Sequence, residues 1–249
     1  MRILLLGGTS EASALAKVLA EGRMDAIFSY AGRTGAPLAQ PLTTRVGGFG
    51  GVAGLVDYLH REAITHVVDA THPFAEQMSR NAFEACARAG ANLIRLERAS
   101  WQATEEDQWN PVPDMDGAVR AVQSLSESAR IFLAIGKQHI GAFSVDQRHH
   151  YLLRLVDDPK GELPLRNTSV IVDRGPFAIE HDRQILRAHY IGLIVSKNSG
   201  GSGAYAKIAA ARDLGIPIIM IERPVLPGQT VTHDCAGVLR WLHHTRLGV

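Results

Sequence analysis

The sequence predicts an α/β protein made of two lobes, each with a parallel sheet, and a cleft between the lobes. Three observations carry this. Apolar runs such as Ile3-Leu4-Leu5-Leu6, and that over 191–195, lack the polar alternation of a half-exposed strand and so belong in sheets covered on both faces. Helical stretches separate these runs almost throughout, the order that yields parallel strands. The alternation stops once, between Arg98 and about Pro113, where Trp, Glu, Asp and Pro replace any periodicity. Residues 1–98 are therefore expected to form the first lobe, 99–114 a crossing segment and 115–249 the second lobe.

In the first lobe, strands are expected at 3–6, 26–30, 44–46, 66–69 and 92–95. Helices are expected at 12–20, 55–62 and 75–89. Thr9 or Ser10 caps the first helix, and Glu11 suits the positive end of its dipole. Pro73 fits a first helical turn, and Gly90 ends the third helix. In the second lobe, strands are expected at 131–135, 150–155 (at a sheet edge), 170–173, 191–195 and 216–221. Helices follow at 178–188, 204–214 and 236–244.

Composition narrows the class. The chain has 249 residues, 46% hydrophobic and 20% charged, with a net charge of +1. That is ordinary for a globular α/β protein and offers no basic stripe for nucleic acid. No apolar run approaches the roughly 20 residues that span a bilayer. Met1-Arg2 runs straight into a strand, with no longer apolar region or cleavage site, so no signal peptide is expected. Cys86 and Cys235 lack partner spacing and read as reduced thiols of a cytoplasmic protein, without a metal role.

The polar loops at strand ends carry the chemistry. Gly7-Gly8-Thr9-Ser10-Glu11 stands between the first strand and helix, where glycines let a pyrophosphate approach backbone amides at a helix N-terminus. Both lobes, by their alternation of strand and helix, are expected to be Rossmann-like, and this loop marks the first as the NADPH-binding one. The second strand ends in Ser29-Tyr30-Ala31-Gly32-Arg33, with no carboxylate to bind a ribose 2′-hydroxyl and an arginine suited to a 2′-phosphate. NADPH is therefore expected rather than NADH. Gly47 and Gly48, in a glycine-dense turn, suit either close approach to the cofactor ribose or a plain turn. Thr71-His72 follows the fourth strand, and His72 reads as an acid, a hydrogen-bond donor or a helix-entry residue. Ser196-Lys197-Asn198-Ser199 places four polar groups at the end of a buried run, which solubility alone does not explain. Lys137, Arg154, Arg174 and Lys207 add positive charge near strand ends. No G-x-S-x-G, H-E-x-x-H, C-x-x-C, Walker or Tyr-x-x-x-Lys pattern occurs.

Taken in order, several blocks resemble the precorrin-6A reductase family of cobalamin (corrin ring) biosynthesis, over nearly the whole chain. They are Ile3 through Ala12, Asp69-Ala-Thr-His-Pro-Phe-Ala, Arg95-Leu-Glu-Arg with Trp101, and Gly136-Lys-Gln. Ser196-Lys-Asn-Ser-Gly-Gly with Ala206-Lys-Ile, Leu214-Gly-Ile-Pro and Glu222-Arg-Pro complete the set. Where the family often has Gly-Arg-Gln, Lys137 keeps the charge without the planar fork. The resemblance implies an oxidoreductase that reduces one double bond of the precorrin-6A macrocycle to give precorrin-6B, with hydride from NADPH. It implies pyrophosphate contacts at Gly7, Gly8, Thr9, Ser10 and Glu11, and a 2′-phosphate at Ser29 and Arg33. Thr71 and His72 fall at the nicotinamide end. The substrate, a tetrapyrrole-derived ring with many carboxylates, falls to Lys137, Lys197, Asn198 and Ser199. His72 and Lys197 are the candidate proton donors, beside solvent. Two alternatives remain at this level: another NADP-dependent Rossmann reductase or epimerase, and a non-catalytic NADPH-binding regulator.

Overall fold

A computed structural model describes residues 1–32, 38–159, 161–228 and 230–247, with residues 246 and 247 described by backbone alone. The first half runs β1 (Ile3–Leu6), α1 (Ser10–Glu21), β2 (Ala26–Tyr30), β3 (Thr43–Val46), α2 (Gly51–Arg61), β4 (His66–Asp69), α3 (Glu76–Ala89) and β5 (Asn92–Leu96). There follow β6 (Trp109–Val112), α4 (Met115–Gln123), β7 (Arg130–Ala134), a 3-10 helix (Lys137–Val145), β8 (His150–Leu155) and β9 (Thr168–Val172). The chain ends with α5 (Ile179–Ala188), β10 (Leu193–Lys197), α6 (Ala206–Leu214), β11 (Ile218–Ile221), β12 (Thr230–Thr232) and α7 (Cys235–Leu247).

Two compact units result: Met1–Ala99 with Val225–Val249, and Ser100–Pro224. The first has a six-stranded sheet in the order β12-β5-β4-β1-β2-β3, the second one in the order β6-β11-β10-β7-β8-β9. All pairings are parallel. Each sheet therefore has the doubly wound arrangement, with a switch point between its central strands: β1 and β4 in one, β7 and β10 in the other.

The sixth strands are exchanged. β12 follows β11 in the chain yet pairs with β5, Thr230 against Ile94. β6 follows β5 yet pairs with β11, Trp109 against Ile218. This corrects two expectations. The segment taken as a crossing, 99–114, contributes a strand to the second sheet. Residues 225–249, assigned to the second lobe, complete the first unit, where Val238 and Leu242 pack with Phe28 and Leu15. A third correction concerns 150–155, which lies between β7 and β9; the edge strand is β9.

Local chemistry explains the elements that position the loops. β1 is buried at every residue because helices cover both sheet faces: Leu15 and Leu19 on one side, Leu55 and Leu59 on the other. Thr9 caps α1, its hydroxyl accepting from the Ala12 N–H at 3.1 Å. Asp114 caps α4 through the Gly117 N–H at 2.7 Å. Gly90 and Gly215 end α3 and α6 in the left-handed region, φ 68° and 63°.

Candidate functional site

At the switch point of the first sheet, β1 runs into Gly7 and Gly8. A Cβ on Gly7 would lie 2.1 Å from the Phe28 ring, so only glycine fits. Gly8 has φ +123°, which L side chains rarely adopt, and open space around it. The loop thus presents bare backbone at the amino end of α1. Thr9 ties it to the neighbouring strand, its hydroxyl donating to the Ala70 carbonyl at 2.8 Å. Glu11 accepts from Arg98 at 2.9 Å and from Ser10 at 3.1 Å, so its charge is neutralised within the unit.

The β4 end is held as firmly. Asp69 is buried, and one carboxylate oxygen accepts from both the Thr71 amide (3.1 Å) and the Thr71 hydroxyl (2.6 Å), a side-chain-closed turn. Its other oxygen faces Arg95 at 3.7 Å, and Arg95 also pairs with Glu97. This network fixes the strand end that carries His72. His72 Nδ1 accepts from the Phe74 N–H at 3.2 Å, which leaves the ring's proton on Nε2.

At the β2 end, Ser29 is buried, and its hydroxyl accepts from Arg45 Nη1 at 2.7 Å. Arg45 lies in register with Ser29 on β3, donates also to the Gly48 carbonyl at 3.1 Å, and sits 3.9 Å from the Phe49 ring centroid. The Gly47 amide donates to Tyr30 O at 2.9 Å, holding the glycine turn beside β2. Arg33, expected at the 2′-phosphate, lies outside the described residues. Arg45 is not among the residues expected from the sequence; its only signal there is a charged residue in the Thr-Thr-Arg-Val run before Gly47-Gly48.

In the second unit, Gly136 (φ +80°) follows β7 and opens the 3-10 helix, with Lys137 exposed at its start. β10 extends to Lys197, so Ser196 and Lys197 are strand residues, both buried. Asn198, buried just after the strand, bonds the backbone of Trp101. Its side-chain oxygen accepts from the Trp101 N–H at 2.8 Å, and its amide donates to the Trp101 carbonyl at 3.1 Å. Through these two bonds Asn198 positions the loop, while it also lines the cavity beside it. The Trp101 indole donates to Gly201 O at 2.7 Å, and Arg223 donates to the carbonyls of Asn198 (2.9 Å) and Ser199 (3.1 Å). Lys207 bonds Ala204 O at 2.7 Å and lies 4.7 Å from the Trp101 ring centroid. Arg154 pairs with the buried Asp182. A cavity of about 370 Å³ adjoins this loop, lined by Trp101, Trp109, Asn198 and Glu222 among others.

Among the described residues no cluster of three or more His, Cys, Asp or Glu is placed to hold a metal. No helix there is long and apolar enough to cross a membrane. Both cysteines are free, and burial pushes the Cys86 thiol up to about 12.

The profile of the family described as precorrin-6x reductase CbiJ/CobK matches residues 2–243. The chain belongs to this family. Among its precorrin-6x reductase relatives, the precorrin-6A reductase of Rhodobacter capsulatus is 56% identical over 97% of this chain and 95% of that protein. The precorrin-6A reductase of a Sinorhizobium species is 49% identical over 98% and 93%. A solved structure titled CobK precorrin-6A reductase superposes with a TM-score of 0.93 at 56% identity, covering 98% and 96% of the two chains. An epimerase or a regulator, the alternatives the residues left open, is not favoured by these relatives.

Proposed function

We propose that this precorrin-6x reductase family member uses NADPH to reduce one carbon–carbon double bond of precorrin-6A, giving precorrin-6B. The observation that carries the cofactor half is the Gly7-Gly8 loop: no side chain fits at Gly7, and the loop opens α1 at the switch point of its sheet. A dinucleotide pyrophosphate needs that close backbone approach and that helix end. The substrate half rests on relatives named precorrin-6A reductase at 56% and 49% identity. Proteins named cobalt-precorrin-6A reductase reach 32%, which favours the cobalt-free substrate.

In this reading Gly7, Gly8, Thr9 and Ser10 border the pyrophosphate, and Arg98 cancels the charge that Glu11 would otherwise turn against it. Ser29 lies under the adenosine 2′-position, Gly47 and Gly48 beside the ribose, and Thr71 and His72 at the nicotinamide end. A bound nicotinamide supplies hydride to one carbon of the double bond, and a proton completes the other. His72, holding the Phe74 amide at Nδ1, serves as an Nε2–H donor that orients a ligand; charging it would cost that bond. Lys197 and water are then the better proton sources. Lys137 and Lys197 pair with ring carboxylates, and Ser199 adds a hydrogen bond. Free thiols agree with a cytoplasmic setting.

Lys197→Met and Ser199→Ala test the division of labour. Turnover is expected to fall while NADPH affinity, read by calorimetric titration, stays unchanged. Parallel loss of NADPH affinity would remove both residues from the substrate side.

A further inference from the structure

We propose that Arg45 is the residue that reads the 2′-phosphate of the dinucleotide and so sets the preference for NADPH over NADH. The inference rests on the dinucleotide site proposed above. In a doubly wound sheet with the pyrophosphate on the β1 loop, the adenosine ribose lies at the carboxyl end of β2. Ser29 stands there, paired in register with Leu6, the residue before Gly7. It is the hydroxyl of Ser29 that Arg45 grips at 2.7 Å. Because Ser29 Oγ accepts that bond, its own proton remains a donor beside the guanidinium.

Arg45 is also fixed before any ligand arrives. The Gly48 carbonyl takes a second N–H at 3.1 Å, and the Phe49 and Tyr58 rings lie 3.9 and 5.1 Å from the guanidinium carbon. Two of five N–H donors are thus used on neutral oxygens, which leaves three for an anion. Among the described residues no carboxylate pairs with Arg45. Burial lowers its pKa, and Tyr58 opposes while Arg61 reinforces that shift. A partly desolvated cation without an anionic partner favours binding one, and a phosphate monoester carries about −1.5 to −2 charges at neutral pH. NADH offers only a hydroxyl at the same place. A fork already held in position loses little freedom on binding.

The test uses the full chain and calorimetric titration with NADPH, NADH, adenosine 2′,5′-bisphosphate and adenosine 5′-monophosphate. Arg45→Gln is expected to weaken NADPH and the bisphosphate by about 10- to 100-fold, the range of one charge-assisted hydrogen bond, and NADH by less than about threefold. Arg45→Lys, keeping the charge without the fork, is expected to fall between. Unfolding midpoints of both variants check that the fold persists; should Arg45→Gln unfold, Arg45→Lys and Ser29→Ala carry the comparison. Equal loss for NADPH and NADH would make Arg45 a mere brace of the glycine turn and overturn the proposal. So would a retained preference in Arg45→Gln that Arg33→Ala abolishes. A wild-type protein that binds neither dinucleotide would instead sink the cofactor reading on which the proposal stands.

Discussion

The Asn198 side chain closes a two-bond ring with the backbone of Trp101, accepting at 2.8 Å and donating at 3.1 Å. Both residues are buried. The pair fixes the start of the loop 198–201, and the Trp101 indole fixes its end through Gly201.

Asn198→Ala therefore strands a buried N–H and a buried carbonyl of Trp101. A cost of about 1–3 kcal/mol is expected for each group left unpaired, seen as a lower unfolding midpoint in thermal denaturation. A residue that only touched substrate would raise KM and leave the midpoint in place.

Gly7 and Gly8 separate packing from backbone conformation. Gly7→Ala drives a methyl group into the Phe28 ring and is expected to lower both stability and dinucleotide affinity. Gly8→Ala has room for its methyl group but holds φ +123°, so it should cost about 1–3 kcal/mol or relax the loop. Thermal unfolding with and without NADPH measures both. Full affinity in both variants would mean that the loop is only a turn.

His66 gives the first unit an acid-sensitive seam. It is buried, with Nδ1 2.8 Å from the Thr65 hydroxyl and Nε2 3.0 Å from the Thr245 hydroxyl of α7, and it meets the Trp241 ring edge-on. Burial, then the nearby N-terminal ammonium, lowers its pKa. As the pH falls, an unfolded histidine takes its proton before the folded one does, near pH 6.5. The stabilisation is thus complete above that pH and is lost as the pH falls through it. Unfolding midpoints between pH 8 and 5 should decline less in His66→Gln than in the wild type, once its lower starting stability is allowed for.

Cys86 should be inert while folded. Its thiol is held up at about 12, mainly by burial and also by Asp69, so almost no thiolate exists at neutral pH. Alkylation followed by mass is expected to label it only on denaturation.

What the sequence disclosed follows from how local each signal is. β1, β4 and β10 were readable because apolar residues on both faces leave no other place for them. β6 was not: Trp109-Asn-Pro-Val carries a proline, tolerated because β6 is an edge strand. β12 is three residues long and mostly exposed, and its partner β5 lies far back in the chain. The exchange of sixth strands was hidden for that reason, and with it the true place of residues 225–249. The Gly7-Gly8 loop was legible from strand, glycines and helix in one stretch. Asn198 was legible as special, but its bonds to Trp101 were not, since Trp101 lies 97 positions away. Arg45 became visible only once β3 was paired with β2.

The most direct measurement is anaerobic incubation of the purified protein with NADPH and precorrin-6A, following cofactor oxidation and product mass together. One-for-one oxidation of NADPH, with a product two hydrogens heavier than precorrin-6A, is the expected result. NADPH bound but left unoxidised beside intact precorrin-6A would contradict the assignment as a reductase of that ring.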